Sequence, residues 1–227
     1  MKAMILAAGR GERLRPLTDR IPKALLVVGG KPLLAWHLER LARAGFREVV
    51  INVSHLGGAI SDRFGDGTDH GLAIRWSHEA DALETAGGIA QARALLGADP
   101  FALLNADVWC DLDLASLRAR PLGSRLAHLV LAANPPHHLE GDFSLHGESV
   151  GNDLAPRYTY TGIAVLSPAL VDGIRPGEKA PLAPLLRAAA ARGAVSGEIC
   201  SGVWRDVGTA ERLAELESLL QGKRMTT

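Results

Sequence analysis

Five cationic side chains are concentrated in one short stretch near the start of the chain. They are Arg10, Arg13, Arg15, Arg20 and Lys23. Two carboxylates accompany them between residues 10 and 23, which leaves the stretch with a local net charge of +3. Gly9 and Gly11 lie at its beginning, and glycines let backbone N–H groups approach an anion closely. These residue types and their spacing predict a loop that holds a polyanion, such as a chain of phosphates.

The apolar segment before this loop, residues 1–6, predicts a short strand that ends where the glycines begin. A Walker loop needs the pattern Gly-x-x-x-x-Gly-Lys-Ser/Thr, which the chain lacks. A dinucleotide-binding loop needs a third glycine where this chain has Leu14. A solvated Arg-rich turn is the simpler alternative, but the preceding strand and the following Pro22-Lys23 favour a phosphate-binding loop of another kind.

Two aspartates are candidate metal ligands, although each also has a simpler interpretation. Asp107 follows the apolar segment 101–105, and ligands of open parallel sheets bind beyond the carboxyl ends of the strands. Asp206 lies in residues 203–209, just before a predicted helix. Because Asp is also common as a helix cap or in a turn, the positions alone leave both interpretations open.

Strand and helix patterns alternate along the chain, which is typical of an α/β fold with a parallel sheet. Strands are predicted at residues 1–6, 48–53, 73–77, 101–105, 127–133 and 158–166. Helices are predicted at residues 32–45, 58–64, 87–96, 181–192 and 209–220. Residues 134–157 break this rhythm with prolines, histidines and glycines, and we expect loops and short antiparallel strands there. The predicted fold is a Rossmann-like, mostly parallel mixed sheet flanked by helices, with a small β subregion, in one domain over residues 1–227.

Composition narrows the class of protein. The 227 residues are 47% hydrophobic and 22% charged, as in ordinary globular proteins. Lys+Arg and Asp+Glu both number 25, so no overall charge attracts nucleic acid or an anionic membrane. Cys110 and Cys200 are too few for a disulfide framework. We expect a cytoplasmic protein without nucleic-acid or membrane partners; the sequence gives no indication of its oligomeric state.

The chain resembles the sugar-1-phosphate nucleotidyltransferases. The resemblance rests first on Leu-Ala-Ala-Gly-x-Gly-x-Arg-Leu-x-Pro-Leu-Thr at residues 6–18 and Pro-Lys-Ala-Leu at residues 22–25. It continues in Asn-Ala-Asp at residues 105–107, Tyr-Thr-Gly-Ile at residues 160–163 and Trp-Arg-Asp-Val-Gly-Thr at residues 204–209. It implies an enzyme that joins a nucleoside triphosphate to a sugar 1-phosphate and releases pyrophosphate. Residues up to about 110 would bind the nucleotide, and residues 111–227 the sugar.

The resemblance also assigns roles to individual residues. The backbone N–H groups that would cradle the phosphates belong to Ala8, Gly9, Arg10 and Gly11. Arg13 would steady the leaving pyrophosphate, and Lys23 would lie across the α-phosphate and the incoming sugar phosphate. Asp107 and Asp206 match the two carboxylates that hold Mg²⁺ in the family, and Mg²⁺ commonly takes one or two carboxylates together with phosphate oxygens.

Base recognition in the family falls on residues 79–88 of this sequence, which include Glu79 and Gly88. An ionised carboxylate accepts hydrogen bonds only, so Glu79 is able to bind N3–H of uracil or N1–H and N2–H of guanine, but not the N3 acceptor of cytosine. Relatives often have a glycine where this chain has Glu84. An exposed loop is the alternative interpretation for both glutamates. Asn105 and Gly162 match positions that contact the sugar.

For the substrates, the resemblance favours UTP and N-acetylmuramate α-1-phosphate, a sugar phosphate of cell-wall recycling. The lactyl carboxylate of this sugar would be neutralised by Arg157 or Arg205. One alternative is a guanylyltransferase for mannose or heptose 1-phosphate. Another, from a different class, is a nucleotide-sugar sensor or regulatory subunit without turnover, although a sensor does not need the set of Arg13, Lys23 and the two aspartates.

Overall fold

A computed structural model of the chain describes residues 1–153 and 155–224; Leu154 and residues 225–227 of the predicted domain lie outside the described residues. The strands are β1 (Ala3–Leu6), β2 (Val27–Val28), β3 (Lys31–Pro32), β4 (Glu48–Val53), β5 (Ala73–His78), β6 (Phe101–Asn105), β7 (Val108–Cys110), β8 (Ala127–Ala132), β9 (Phe143–His146), β10 (Ser149–Gly151), β11 (Arg157–Leu166), β12 (Val195–Ile199) and β13 (Trp204–Asp206). The helices are α1 (Leu33–Arg43), α2 (Gly57–Phe64), α3 (Glu84–Gln91), α4 (Arg93–Leu96), α5 (Leu114–Ala119), α6 (Leu182–Ala191) and α7 (Ala210–Arg224). Within residues 1–153 and 155–224, no helix is long and apolar enough to cross a membrane.

The described residues form a nine-stranded sheet in the order β5-β4-β1-β6-β11-β8-β12-β10-β9. The first four strands in this order pair in parallel, and the pairs of β11, β10 and β9 are antiparallel. The predicted α/β fold with a mixed sheet flanked by helices is therefore confirmed. The division near residue 110 stays a prediction, and the pairing of β6 with β11 carries the sheet across that point.

Alternation of side chains along the strands gives the sheet two apolar faces. In β1, Ala3 and Ile5 belong to the core cluster that includes the apolar stripe of α1, whereas Met4 belongs to the cluster on the opposite face with α3 and α6. All three side chains are fully buried. A strand buried on both faces shows a continuous apolar sequence rather than alternation, as residues 3–6 do.

The strand order also locates the place where a ligand is expected. The chain moves from β1 to β4 and β5 on one side, and then crosses back to β6 on the other side of β1. Loops that leave β1 and β6 at their carboxyl ends diverge at such a switch point and leave a crevice between them. The crevice therefore lies between the cationic loop after β1 and the segment that contains Asp107 after β6.

A third apolar cluster connects the cationic loop to the end of the chain. Its buried members are Leu14, Leu26, Val28, Leu33, Trp109, Val207, Leu216 and Leu220. They come from the loop, from β2, from the start of α1, from β7 and the residue after β13, and from α7. Each fully buried apolar side chain of this size contributes roughly 1.5–3 kcal/mol of transfer free energy. This packing fixes the loop relative to the two aspartates: Asp107 directly precedes β7, and Asp206 is the last residue of β13.

Candidate active site

A cavity of about 620 Å³ opens at the carboxyl ends of β1 and β6. It lies at the crevice that the strand order predicts. Its lining residues are Leu6, Ala7, Ala8, Gly9, Gly11, Glu12, Arg13, Lys23, Ala24, Asn52, Glu79, Ala82, Glu84, Thr85, Asn105, Ala106, Asp107, Lys179 and Gly208. The cationic loop, the segment 79–85 and residues 105–107, which the sequence predicted to act together, thus meet at one site.

The cationic loop is a series of tight turns. Three short 3-10 helices occupy Glu12–Leu14, Leu17–Asp19 and Lys23–Leu25. Gly11 has a φ of 65°, and a Cβ there would lie 2.9 Å from Cγ2 of Thr18, so this turn requires glycine. The Thr18 hydroxyl donates a hydrogen bond of 2.8 Å to the Gly11 carbonyl and closes the loop.

Three of the four residues predicted to cradle phosphates line the cavity. Ala8, Gly9 and Gly11 line the cavity, and no heavy atom lies within 4 Å of the position that a Cβ of Gly9 would take. The Ala7 N–H is fixed by a 2.9 Å hydrogen bond to Oδ1 of Asn52. Arg10 is exposed and does not line the cavity, so its side chain is directed to solvent.

Two of the loop cations reach the cavity. Lys23 forms an ion pair with Asp107, and the Lys23 side chain is only 13% exposed. The Arg13 guanidinium lies beside Gly208, where a Cβ would be 3.0 Å from it. The cavity therefore has positive side chains on the side of the loop and the Asp107 carboxylate next to them. Arg15 instead pairs with Asp19 at the surface.

The two candidate metal ligands are brought together by backbone pairing. Asp206 lies opposite Val108 in the antiparallel ribbon of β7 and β13, and the Val207 N–H donates a 2.8 Å hydrogen bond to the Asp107 carbonyl. The backbones of the two aspartates are therefore one ladder step apart, although their positions differ by 99 in the sequence; of the two, Asp107 lines the cavity and Asp206 does not. Each carboxylate is held by a cation, Asp107 by Lys23 and Asp206 by Arg212.

His137 also approaches this end of the site. Its Nε2 lies 3.6 Å from Oδ1 of Asp206 and 3.1 Å from the Arg212 guanidinium. Residues 1–153 and 155–224 contain no group of three or more His, Cys, Asp or Glu side chains arranged to hold a metal by themselves. A cation at Asp107 and Asp206 would thus complete its coordination from substrate oxygens and water, which is the usual manner for Mg²⁺.

Glu79 is a buried carboxylate on the cavity wall. Its Oε1 accepts a 2.7 Å hydrogen bond from Nδ2 of Asn52, and its Oε2 accepts one of 2.9 Å from the Leu83 N–H. Since Asn52 also accepts from Ala7, this network ties the base-reading segment to the phosphate loop. Gly88 does not line the cavity; a Cβ there would lie 2.7 Å from Glu79 and 2.8 Å from Asn52.

Gly88→Ala is expected to destabilise the protein by about 1–3 kcal/mol, because the new methyl group must separate the buried Asn52–Glu79 hydrogen bond. Gly58→Ala is the matched control. Gly58 is also a helical glycine, but no heavy atom lies within 4 Å of its Cβ position. Gly58→Ala should therefore leave the protein unchanged or stabilise it by roughly 0.5–1 kcal/mol. Urea unfolding of both variants measures the difference, and equal stabilities would contradict the expectation.

Asn105 and Gly162, the predicted sugar contacts, lie against each other. Gly162 has a φ of 80° where β11 shifts its register against β8, and a Cβ there would lie 2.5 Å from Nδ2 of Asn105. The space beside Gly162 is thus taken by the Asn105 amide, and Asn105, not Gly162, lines the cavity. Direct contact of Gly162 with a sugar ring stays a prediction.

The two arginines predicted to neutralise a lactyl carboxylate do not line the cavity. The Arg157 guanidinium donates to the carbonyls of Gly141 and Asp142 at 3.1 and 3.0 Å. Arg205 is exposed and donates to the carbonyl of its neighbour Trp204. The structure therefore gives both side chains other partners and does not bring them to Lys23 and Asp107.

Four residues at or beside the cavity were not predicted from the sequence. Asn52, Arg212 and Lys179 contact or line the site, and His37 lies under it. Asn52 has a visible signal, since it is a polar residue near the end of an otherwise apolar strand. Arg212 and Lys179 are ordinary surface residues by sequence pattern, and only the fold places them beside the cavity or its ligands.

His37 is buried in α1 beneath Asp107, with 3% of its surface exposed. Burial, together with the charge of Arg40, lowers the pKa of His37 from 6.5 to about 4. The unfolded chain therefore takes up a proton at higher pH than the folded protein does. The contribution of neutral His37 to the free energy of unfolding is therefore fully present above pH 6.5. It is lost as the pH falls toward 4, and the total loss is on the order of 3 kcal/mol.

We expect the free energy of unfolding to fall less with acid in His37→Gln than in the wild type, because this one proton uptake is removed. Urea unfolding at pH 7 and pH 5 measures both falls. His55→Gln serves as the control, since His55 is exposed. Identical acid dependence in wild type and His37→Gln would show that His37 does not contribute.

Comparison with known proteins agrees with this geometry. A family model described as nucleotidyl transferase matches residues 2–134, more than half of the chain. The chain is 50% identical over 230 residues to an N-acetylmuramate alpha-1-phosphate uridylyltransferase of Neisseria meningitidis serogroup B, covering 96% of this chain and 98% of that protein. Identity to the protein of the same name from Caulobacter vibrioides is 33% over 235 residues, covering 96% of each.

More distant similarities cover less sequence or only the fold. A mannose-1-phosphate guanylyltransferase catalytic subunit beta of Xenopus tropicalis is 43% identical over 114 residues, which are 49% of this chain and 32% of that protein. The crystal structure of a putative glucose-1-phosphate thymidylyltransferase from Bacillus anthracis superposes with a TM-score of 0.87 at 20% identity, covering 97% and 95% of the two chains. With the phosphate-type loop, the paired aspartates and a family match over most of the sequence, the chain belongs to the nucleotidyl transferase family, among the sugar-1-phosphate nucleotidyltransferases.

Proposed function

We propose that the protein transfers the uridylyl group of UTP to N-acetylmuramate α-1-phosphate, giving UDP-N-acetylmuramate and pyrophosphate. The observation that carries this proposal is the meeting of Lys23, Arg13 and Asp107 at the mouth of one cavity behind a glycine loop. The names and coverage of the two uridylyltransferase relatives support the choice of substrates.

The chemistry that this site must perform is electrostatic. An oxygen of the sugar phosphate attacks the α-phosphorus, a new P–O bond forms, and the bond to the oxygen bridging the α- and β-phosphorus breaks. Two unit charges of like sign about 4 Å apart repel by on the order of 1 kcal/mol in water, and by more in a cleft. Positioning and charge neutralisation therefore matter more than a strong base, since the nucleophile is already ionised at neutral pH.

The cationic residues supply that neutralisation. Lys23, on the cavity wall beside Asp107, would lie between the two phosphates that react, and Arg13, which also lines the cavity, would receive the charge of the leaving pyrophosphate. The N–H groups of residues 8, 9 and 11 add dipoles that require no reorganisation as the charge moves. None of these groups needs to accept a proton during the reaction.

Asp107 and Asp206 would hold a divalent cation, for which Mg²⁺ is our proposal. The donor set fits, because both ligands are carboxylates, which hard cations prefer, and the ribbon places them one ladder step apart. Such a cation, when bound, screens phosphate charge and polarises the phosphoryl group. Lys23 pairs with one of these carboxylates and Arg212 with the other.

The choice of uracil over guanine rests on the two uridylyltransferase relatives. Both carboxylate oxygens of Glu79 already accept one hydrogen bond each inside the protein, and each has a further lone pair. These sites would suffice for N3–H of uracil and also for N1–H and N2–H of guanine. A guanylyltransferase is the second candidate, because a mannose-1-phosphate guanylyltransferase is similar over half of this chain.

Pyrophosphate release with a panel of substrates tests the proposal. The panel combines UTP, GTP, dTTP and CTP with the 1-phosphates of N-acetylmuramate, N-acetylglucosamine and mannose, with and without Mg²⁺. UTP with N-acetylmuramate α-1-phosphate should give the highest kcat/KM, and chelation of the metal should abolish turnover. Preference for GTP and mannose 1-phosphate would establish the guanylyltransferase, and nucleotide binding without any pyrophosphate release would indicate a sensor.

A further inference from the structure

The cavity has a third cation that the transfer of phosphates does not use. Besides Arg13 and Lys23, the lysine or arginine among its described lining residues is Lys179. Arg13 and Lys23 belong to the phosphate loop, whereas Lys179 lies with the wall formed by Glu79, Glu84 and Thr85. Its Nζ is 3.6 Å from Oε1 of Glu84, and its side chain is 66% exposed. Lys179 is therefore available to an anion that enters the cavity.

The backbone on both sides of Lys179 is fixed. Ala180 donates to the Leu83 carbonyl at 3.0 Å and accepts from the N–H groups of Ala86 and Gly87 at 3.0 and 3.1 Å. On the other side, a Cβ on Gly87 would come within 2.3 Å of the Glu178 carbonyl, so the segment lies against α3 only because residue 87 is glycine. The backbone position of Lys179 is therefore fixed, although its side chain is exposed.

Its partner Glu84 has an unusual backbone conformation. Glu84 has a φ of 60°, in the left-handed region that a side chain with a Cβ rarely adopts. Strain of this kind tends to persist where the surrounding structure uses it, often at a ligand site. Here it accompanies a carboxylate that reaches Lys179 from the first turn of α3. Glu84 is therefore the carboxylate partner with which an incoming anion would compete for Lys179.

We propose that Lys179 is a specificity-determining residue, which selects a sugar 1-phosphate that carries a second anionic group, a carboxylate ether on the ring. This inference rests on the proposed function and assigns the carboxylate contact that Arg157 and Arg205 are not placed to make. The incoming carboxylate replaces Glu84 as the partner of Lys179. A neutral sugar of the same size does not compete with Glu84 and gains nothing from the lysine.

The test compares two sugars that differ in the lactyl ether alone: the α-1-phosphates of N-acetylmuramate and N-acetylglucosamine. Lys179→Met should lower kcat/KM for N-acetylmuramate 1-phosphate by about 10-fold, mostly through KM, because one charge-assisted contact is lost. Values for N-acetylglucosamine 1-phosphate and the KM of UTP should stay within about two-fold. Lys179→Arg should keep most of the preference.

Arg175→Met is the matched control, since Arg175 is an exposed cation of the same segment before α6 and does not line the cavity.

Raising the salt concentration should reduce the wild-type preference for N-acetylmuramate and leave that of Lys179→Met unchanged, because screening acts on the charge pair. Equal losses on both sugars, or a salt dependence unchanged by the substitution, would overturn the proposal. A wild type without uridylyl transfer would instead refute the proposed function, and one that transfers to both sugars equally would refute the role of Lys179 alone.

Discussion

Lys23→Gln is expected to reduce kcat by about 10²- to 10³-fold, the usual loss when one group that stabilises transition-state charge is removed. The structure supports an effect of this size because Lys23 is mostly buried, lines the cavity and pairs with Asp107. A buried charge is screened less than a surface charge and acts more strongly on the reacting phosphates. Steady-state measurement of pyrophosphate release gives kcat directly.

Two further variants separate charge from structure. Lys31→Gln breaks another lysine–carboxylate pair, that of Lys31 with Glu39, which does not line the cavity. Its kcat should remain within about two-fold of the wild type, since this partly exposed pair lies outside the cavity and surface pairs contribute at most about 1 kcal/mol to stability. Lys23→Arg keeps the charge and should lose less than Lys23→Gln. If Lys31→Gln and Lys23→Gln lost activity equally, a special role for Lys23 would be untenable.

The first half of the fold was predictable because its strands are buried on both faces. Residues 48–53 and 101–105 were predicted with the bounds that the structure shows, since a continuous apolar run between turn residues leaves few alternatives. The helix predicted over residues 87–96 is instead α3 and α4, and α3 begins at Glu84. Its first residue has a positive φ, which no local sequence preference predicts for glutamate.

The strands that were missed are short or polar. β7 and β13 have three residues each, and β12 carries Ser196, Gly197 and Glu198 within five residues. Such segments become strands through their neighbours and not through their own pattern, because pairing depends on the tertiary context. The ribbon of β7 and β13 nevertheless brings the backbones of both candidate metal ligands close together, so the element that positions them had the weakest signal.

Site residues divide in the same way. The loop after β1 has a distinctive composition, and Arg13, Lys23 and Gly11 occur in the structure where the sequence placed them. The network of Asn52 requires Glu79, 27 residues away, to meet it in space, and the ion pair of Lys23 requires Asp107, 84 residues away. Composition does not encode such meetings. Arg157 likewise has the positive charge that a carboxylate needs, but its side chain does not line the cavity and donates to the carbonyls of Gly141 and Asp142.

Asp107→Asn and Asp206→Asn are each expected to lower turnover by about 10³-fold or more, which corresponds to roughly 4 kcal/mol of transition-state stabilisation. Asn keeps the shape of the side chain but removes the charge that would attract a divalent cation. UTP binding by calorimetry should persist, since the loop backbone and Arg13 still contact phosphates. Asp113→Asn is the control: Asp113 caps α5 through the Ala115 N–H, so its substitution should affect stability and not turnover.

The double variant Asp107→Asn/Asp206→Asn decides whether the two carboxylates serve one cation. If they hold the same ion, removal of either disables the site, and the double variant should lose little more turnover than a single one, as groups that act as a unit are strongly non-additive. Independent roles would instead multiply the two losses. The Mg²⁺ concentration that gives half-maximal activity should rise in both single variants. If the double variant instead loses turnover by the product of the two single losses, and the Mg²⁺ dependence is unchanged, Asp206 acts through its ion pair with Arg212 and not through a metal.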